Sequence, residues 1–103
     1  MIAHFVSLKF VAGTGAEHID EAWRRLTALV ELVPTLHQIV GGRDLGYDNA
    51  NAQLSFVAFF DDHAGWLAYQ QHPAHQSVAA ELIRPYLESR VATQCEWAST
   101  IPA

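Results

Sequence analysis

The chain has 103 residues, which is the length of one ordinary domain. Half of its residues are hydrophobic and only 17% are charged, where about 25% is usual, so composition excludes a disordered chain. So few charges also indicate that part of the exterior is covered by another chain. The net charge of −5 and the absence of a basic cluster argue against nucleic acid as a partner, because binding it requires neutralised phosphates.

Hydropathy gives no sign of a membrane protein. No segment approaches the roughly 18 apolar residues that a membrane helix needs. The first residues, 1–5, lack the positive region and cleavage site of a signal peptide. We therefore expect a cytoplasmic protein that forms one domain over residues 1–103 and has no membrane partner. A lone cysteine, Cys95, rules out an internal disulfide, and a small buried side chain is the expected role for it.

The first half of the chain predicts a strand, a helix and a second strand. Residues 2–11 alternate between two faces, as a strand requires, and residues 13–15 break the pattern. Thr14 and Glu17 fit a capping box for the helix that follows, which Pro34 ends. Its apolar residues recur at helical spacing. Residues 36–40 predict the second strand, closed by Gly41 and Gly42.

The second half predicts a strand, two short helices and a last strand. Residues 53–60 form the most apolar strand, and Asp61 and Asp62 can cap the helix after it. Pro73 suits the first turn of another helix. One side of that helix carries a mixed apolar and polar stripe: His75, Val78, Ala79, Leu82 and Tyr86. Residues 89–99 alternate again and predict the fourth strand.

The predicted order β-α-β-β-α-β favours an α+β, ferredoxin-like fold, in which a four-stranded antiparallel sheet carries helices on one face. The first and third strands are central in that topology, and here they are the most apolar. Phe5, Val57 and Phe59 lie on the face that the helices leave open. An uncovered apolar patch usually marks an interface, so we expect a homodimer joined through its sheet faces as a dimeric α/β barrel.

Several segments resemble the stress-responsive dimeric α/β-barrel family, over nearly the whole chain. The most specific is Tyr69-x-x-His72-Pro73-x-His75 within residues 67–75. The opening strand over residues 2–10, the aromatic and acidic end of the third strand over 59–61, and the closing residues 94–97 support it. The resemblance implies ferredoxin-like protomers that pair through their sheets.

Some members of that family are cyclases that close polyketide chains by aldol or Claisen-type condensation without a cofactor. The resemblance places their pocket residues at His4, Tyr69 and His75 of this sequence. Those cyclases also have a histidine in the third strand and a tyrosine in the first helix, where this chain has Leu54 and Leu26. The resemblance therefore implies a similar pocket in this chain, but it does not imply that the pocket acts on the same substrates as the cyclases.

The residue pattern also places His4 and His75 between the sheet and the helices. We expect Tyr69, which the resemblance selects and which precedes His75 by six residues across the Pro73 break, to converge on the same cavity. Two imidazoles and a phenol there suit a general base and hydrogen-bond donors. They are equally typical of buried polar residues that lock a helix junction. A third metal ligand near His72 and His75 is missing, so we predict no metal and no cofactor. The remaining pocket residues that we predict are Val6, Leu8, Trp23, Leu26, Leu54, Phe56, Val78, Leu82 and Tyr86.

Three functions remain open from the sequence. The first is a cofactor-independent cyclase-like or lyase-like enzyme, in which His75 and His4 take a proton beside the carbonyl of a small apolar, polyketide-like compound and Tyr69 donates to the oxyanion. The second is a non-catalytic stress-response dimer or one that binds a small apolar ligand. The third is a cofactor-free monooxygenase.

Overall fold

The computed structural model describes residues 1–98 and has the predicted order of elements. Its helices and strands are β1 (Ile2–Phe10), α1 (Ala16–Leu32), β2 (Gln38–Arg43), β3 (Leu54–Phe60), α2 (His63–Gln71), α3 (Pro73–Val78) and β4 (Leu87–Glu96). A π-helical turn over Ala79–Ile83 and a 3₁₀ turn over Arg84–Tyr86 connect α3 to β4. The fold is the ferredoxin-like α+β fold that the sequence predicts.

All four strands are antiparallel, in the order β2-β3-β1-β4. The two most apolar strands, β1 and β3, are central, as predicted. Their alternate residues Val6, Leu8, Leu54, Phe56 and Phe60 are buried beneath the helices with the apolar side of α1. Strands in the middle of a sheet lose water on both edges, which is why apolar and β-branched sequences occupy them.

Several predicted boundaries were wrong. Strand β2 continues through Gly41 and Gly42, which therefore do not close it. Helix α1 has no capping box, because Gly15 is the N-cap and the Thr14 hydroxyl donates instead to the backbone oxygen of Val11 at 2.8 Å. Strand β4 begins at Leu87 rather than at residue 89. Ser99, the predicted end of that strand, lies outside the described residues.

The second helical region is broken at His72, as the sequence predicts. His72 ends α2 and caps α3, where its Nδ1 accepts a hydrogen bond from the Ala74 backbone N–H at 3.0 Å. Pro73 takes the first position of α3, where its missing N–H costs nothing. The π-helical turn after α3 was not predicted. Such turns insert a residue into a helix and rotate the side chains that follow.

The sheet face opposite the helices is apolar and uncovered in the protomer. Phe5 is 37% exposed on it, and the rings of Phe5 and Phe59 lie 6.3 and 5.3 Å from that of Trp97. Val40 on β2 is also exposed. Cys95 is exposed there too, so the prediction of a buried cysteine was wrong for the protomer. This surface, called the open face below, comprises Phe5, Val40, Val57, Phe59, Val91, Cys95 and Trp97.

Within residues 1–98, no helix has the length and apolar character needed to cross a membrane.

Strand β2 depends on glycine at position 41. Gly41 has φ +152°, and a Cβ built there would overlap the backbone oxygen of Ser55 and the Cα of Phe56. The Gly41→Ala variant should lose about 2 kcal/mol of unfolding free energy in urea denaturation, because backbone must move to admit the methyl group. Gly42→Ala is the matched control, since nothing lies within 4 Å of its Cβ position. Equal losses in the two variants would contradict this account.

Candidate functional site

A cavity of about 380 Å³ lies between the sheet and the helical segments that follow β3. Its floor is apolar and comes from β1, β3 and α1, whereas its polar side chains come from β1, α2, α3, the 3₁₀ turn and β4. The lining residues are His4, Val6, Leu8, Leu26, Phe56, Tyr69, Gln70, His75, Ala79, Ile83, Arg84, Leu87 and Arg90. The volume suits a small organic molecule.

His4 enters the cavity wall from β1, two residues after the strand begins, and is only 2% exposed. Gln94 lies directly opposite it on β4, so both side chains are on the helix-facing side of the sheet. The Gln94 side-chain N–H donates to His4 Nδ1 at 2.8 Å. His4 Nδ1 is therefore an acceptor, and the proton of the neutral ring is on Nε2.

Tyr69 and His75 reach the same cavity from the two sides of the helix break. Tyr69 lies in the last turn of α2, and His75 in the first turn of α3. Their ring centroids are 4.3 Å apart, and the Tyr69 and His4 rings are 6.4 Å apart. The structure thus brings together the three side chains that the sequence selects, with Tyr69 between the two histidines.

Burial keeps all three groups uncharged at neutral pH. It lowers the pKa of His4 to about 4, and the charge of Arg90 and the repulsion between two protonated imidazoles, His4 and His75, act in the same direction. Burial likewise lowers the pKa of His75, against a backbone hydrogen bond with Gln70 that raises it. The pKa of Tyr69 is raised by burial, because the phenolate would lose its hydration. The cavity wall therefore presents two neutral imidazoles and a protonated phenol.

One nitrogen of His75 has an unmet hydrogen-bonding requirement. Its Nδ1 is buried and has no partner among residues 1–98. Leaving a buried polar atom without a partner costs about 1–3 kcal/mol, so such atoms in native structures usually serve a ligand, a water or chemistry.

The predicted pocket residues fall into two groups in the structure. Val6, Leu8, Leu26 and Phe56 line the cavity, but five other predicted residues do not: Trp23, Leu54, Val78, Leu82 and Tyr86. Of these, Leu54 and Val78 are enclosed in the core. Leu82 packs against that core.

The two aromatic residues among the five are engaged by other rings. Trp23 packs on the ring of Phe56 with centroids 6.0 Å apart, on the core side of α1. Tyr86 packs on His18 with centroids 3.9 Å apart.

The π-helical turn explains part of this difference. An uninterrupted α-helix from His75 would direct Val78, Leu82 and Tyr86 to one side. The wider turn instead brings Ile83 and Arg84 to the cavity. Sequence reasoning therefore missed a group of lining residues: Gln70, Ala79, Ile83, Arg84, Leu87 and Arg90. The alternation of the last strand was a signal for Arg90, which shares a face with Gln94.

Metal ligation finds no support in the geometry of residues 1–98, where no three histidine, cysteine or carboxylate side chains cluster. His72, the other histidine of the helix break, caps α3.

The buried His4 predicts a pH-dependent stability. Its folded pKa of about 4 lies below its ordinary value of 6.5, so between these values the unfolded chain binds more protons. The unfolding free energy should fall by up to about 3 kcal/mol as the pH drops from 6.5 to 4. Urea denaturation at several pH values in that range measures the effect. The unfolding free energy of His4→Gln should fall less steeply with decreasing pH than that of the wild type. The control is His63→Gln, at an exposed position, which should show the same pH dependence of stability as the wild type. The same pH dependence in the wild type and in both variants would refute the assignment of this effect to His4.

Comparison with solved structures shows the same fold in proteins from several organisms. A dimeric ferredoxin-like protein of unknown function from Thermobifida fusca is 30% identical, with a TM-score of 0.83 over 93% of this chain and 90% of that chain. The hydroxynitrile lyase of Passiflora edulis is 20% identical, with a TM-score of 0.82 over 98% and 96%. A protein of Arabidopsis thaliana is 21% identical, with a TM-score of 0.83 over 99% and 100%.

Comparison of the sequence with curated proteins gives no match. The family model described as "stress responsive A/B barrel domain" matches residues 2–96. That range includes all four strands, the helix break and His4, Tyr69 and His75, so the family resemblance that the Tyr69–His75 segment carries is confirmed. The chain therefore belongs to the stress-responsive A/B barrel domain family.

Proposed function

We propose that the protein is a cofactor-independent enzyme of the cyclase or lyase type that acts on a small, largely apolar carbonyl compound in the cavity. The observation that carries the proposal is the convergence of two neutral imidazoles and a phenol on one cavity with an apolar floor. Side chains of this kind can move a proton and stabilise an oxyanion. The similarity to the Passiflora lyase, at 20% identity, supports the fold alone, and the support for this chemistry is the cavity itself.

His75 is the general base in this proposal. Burial lowers its pKa, so the ring is unprotonated at neutral pH, and its Nδ1 has no partner within residues 1–98. The ring would take a proton from the carbon beside the substrate carbonyl. The electron pair of that C–H bond then forms an enolate. In a cyclase the enolate carbon attacks a second carbonyl, whose π bond opens to an alkoxide, and the alkoxide takes up the proton held by His75. In a lyase the reverse reaction breaks a carbon–carbon bond.

Tyr69 and His4 are the donors that stabilise the enolate oxygen. Burial raises the pKa of the Tyr69 phenol, so it holds its proton and can donate a hydrogen bond. The hydrogen bond from Gln94 fixes His4 with its proton on Nε2, so this histidine also serves as a neutral donor. Donors held in place before the reaction cost little reorganisation when negative charge develops.

The proposed assembly is a homodimer joined through the open face. The Thermobifida fusca protein, 30% identical, is dimeric. Phe5, Phe59 and Trp97 form an aromatic cluster on that face in this chain, and covering it removes apolar surface from water. The cavity lies on the helix side of the sheet, so dimerisation leaves it accessible.

A non-catalytic dimer that binds a small ligand is the second candidate. The observation that favours it is the packing of Tyr69, whose ring lies 5.1 Å from that of Phe60 and 4.3 Å from that of His75. These contacts hold the broken helical region against β3. On this alternative His4, Tyr69 and His75 stabilise the helix junction, and the cavity binds a small ligand without converting it.

The catalytic proposal predicts enolisation without any added cofactor. The protein should exchange the protons beside the carbonyl of aryl and alkyl ketones for deuterium in D₂O, followed by proton NMR. His75→Ala should slow exchange by roughly 100-fold, because general-base catalysis contributes about 10²–10⁴-fold. Tyr69→Phe should slow it about tenfold or more. His63→Gln, at an exposed position, should exchange at the wild-type rate.

Thermal melts of the same variants separate the alternatives. Large losses of stability in His75→Ala and Tyr69→Phe, with no exchange above background in the wild type, would establish the non-catalytic candidate. Consumption of oxygen during the reaction would instead identify a monooxygenase.

The dimer proposal predicts a sedimenting mass of about twice 11.4 kDa at micromolar concentration. Phe59→Asp should dissociate the dimer, because it places a charge in the middle of the open face. Leu32→Asp is the control, since Leu32 is exposed at the end of α1 on the helix side. A monomeric wild type, or a dimer that survives Phe59→Asp unchanged, would contradict the proposed interface.

A further inference from the structure

The positive side chains of this acidic protein are distributed unevenly. The chain has six lysines and arginines, all within the described residues. Four of them form ion pairs with carboxylates: Lys9, Arg24, Arg25 and Arg43. Arg84 and Arg90 form none within residues 1–98, although the chain has eleven aspartates and glutamates. These two arginines are the ones that line the cavity.

The cavity offers the two guanidinium groups no counter-charge. Among its lining residues, all of which lie in the described part of the chain, none is an aspartate or glutamate. Both arginines are in exposed positions, so they lie toward solvent rather than in the apolar floor. An opening lined by positive charge in a protein of net charge −5 concentrates anions at that point.

Specific features of the fold hold each arginine there. Arg90 faces the helix side of β4, opposite Leu8 of β1. Arg84 follows the π-helical turn that rotates it toward the cavity. The charge of Arg90 lowers the pKa values of His4, Tyr69 and His75, so it acts on all three polar groups of the wall.

We propose that the ligand of this cavity carries a carboxylate, which Arg84 and Arg90 bind at the opening while its apolar body contacts the floor and its carbonyl lies beside His75 and Tyr69. The inference rests on the proposed function for the location of the reacting carbonyl. Guanidinium groups match the planar carboxylate with paired hydrogen bonds. The substrate class is thus an oxo acid with an apolar body.

A phosphate fits the lining less well than a carboxylate. Phosphate groups in proteins are usually cradled by backbone N–H groups of glycine-rich turns or helix N-termini. None of the residues that line this cavity, all within the described part of the chain, is a glycine. Two separate guanidinium groups without such a cradle favour a carboxylate.

The test uses 4-oxo-4-phenylbutanoate and its neutral amide as a matched pair of probes. Calorimetric titration of the wild type should show that the carboxylate binds at least tenfold more tightly than the amide. Arg90→Met and Arg84→Met keep an unbranched side chain but remove the charge, and each should reduce that preference about tenfold. Arg24→Met, which removes a cation paired on α1, should leave the preference unchanged.

The outcomes separate this inference from the proposed function. Equal affinity for the two probes, no effect of either cavity arginine, or no binding at millimolar concentration would overturn the inference. Competition by inorganic phosphate below the carboxylate's own dissociation constant would also overturn it, in favour of a phosphate ligand. Arginine-dependent binding of the carboxylate without deuterium exchange beside its ketone would sustain the inference while the proposed catalysis fails. Deuterium exchange beside the ketone, without any preference for the carboxylate over the amide, would sustain the proposed catalysis and overturn the inference.

Discussion

A four-stranded sheet has two faces, and the helices of this chain cover only one of them. The central strands β1 and β3 are apolar on both sides, so folding encloses one set of side chains and leaves the other in water. The covered side becomes the core and the cavity. The open face retains Phe5, Phe59 and Trp97. Both proposals about this protein, a site under the helices and a partner on the sheet, follow from that division.

The cavity exists because the helical layer is interrupted where a continuous helix would fill the space. His72 and Pro73 end α2 and restart the chain as α3, which brings Tyr69 and His75 together across the break. After the π-helical turn, Ile83 and Arg84 line the cavity and Leu82 does not. Irregular backbone of this kind weakens regular hydrogen bonding, and proteins commonly retain it where a site needs it.

The electrostatics of the site combine an apolar interior with positive charge at its edge. Burial keeps His4 and His75 neutral, because an imidazolium would lose hydration, and nearby Arg90 increases that effect. The same charge would stabilise an anion bound beside them. A neutral base next to neutral hydrogen-bond donors is suited to removing a proton from carbon, since the enolate that forms is negative and the donors stabilise its oxygen.

The sequence by itself determined the order of the elements and the inward direction of His4 and His75. These follow from local periodicity, because alternate residues of a strand and every third or fourth residue of a helix share a face. The order of the elements favours one topology, and that topology makes β1 and β3 central. Only the tertiary structure decided that Gln94 lies opposite His4 and that Arg84 and Arg90 line the cavity. Strand register and a π-helical turn depend on contacts between distant segments, which no local pattern encodes.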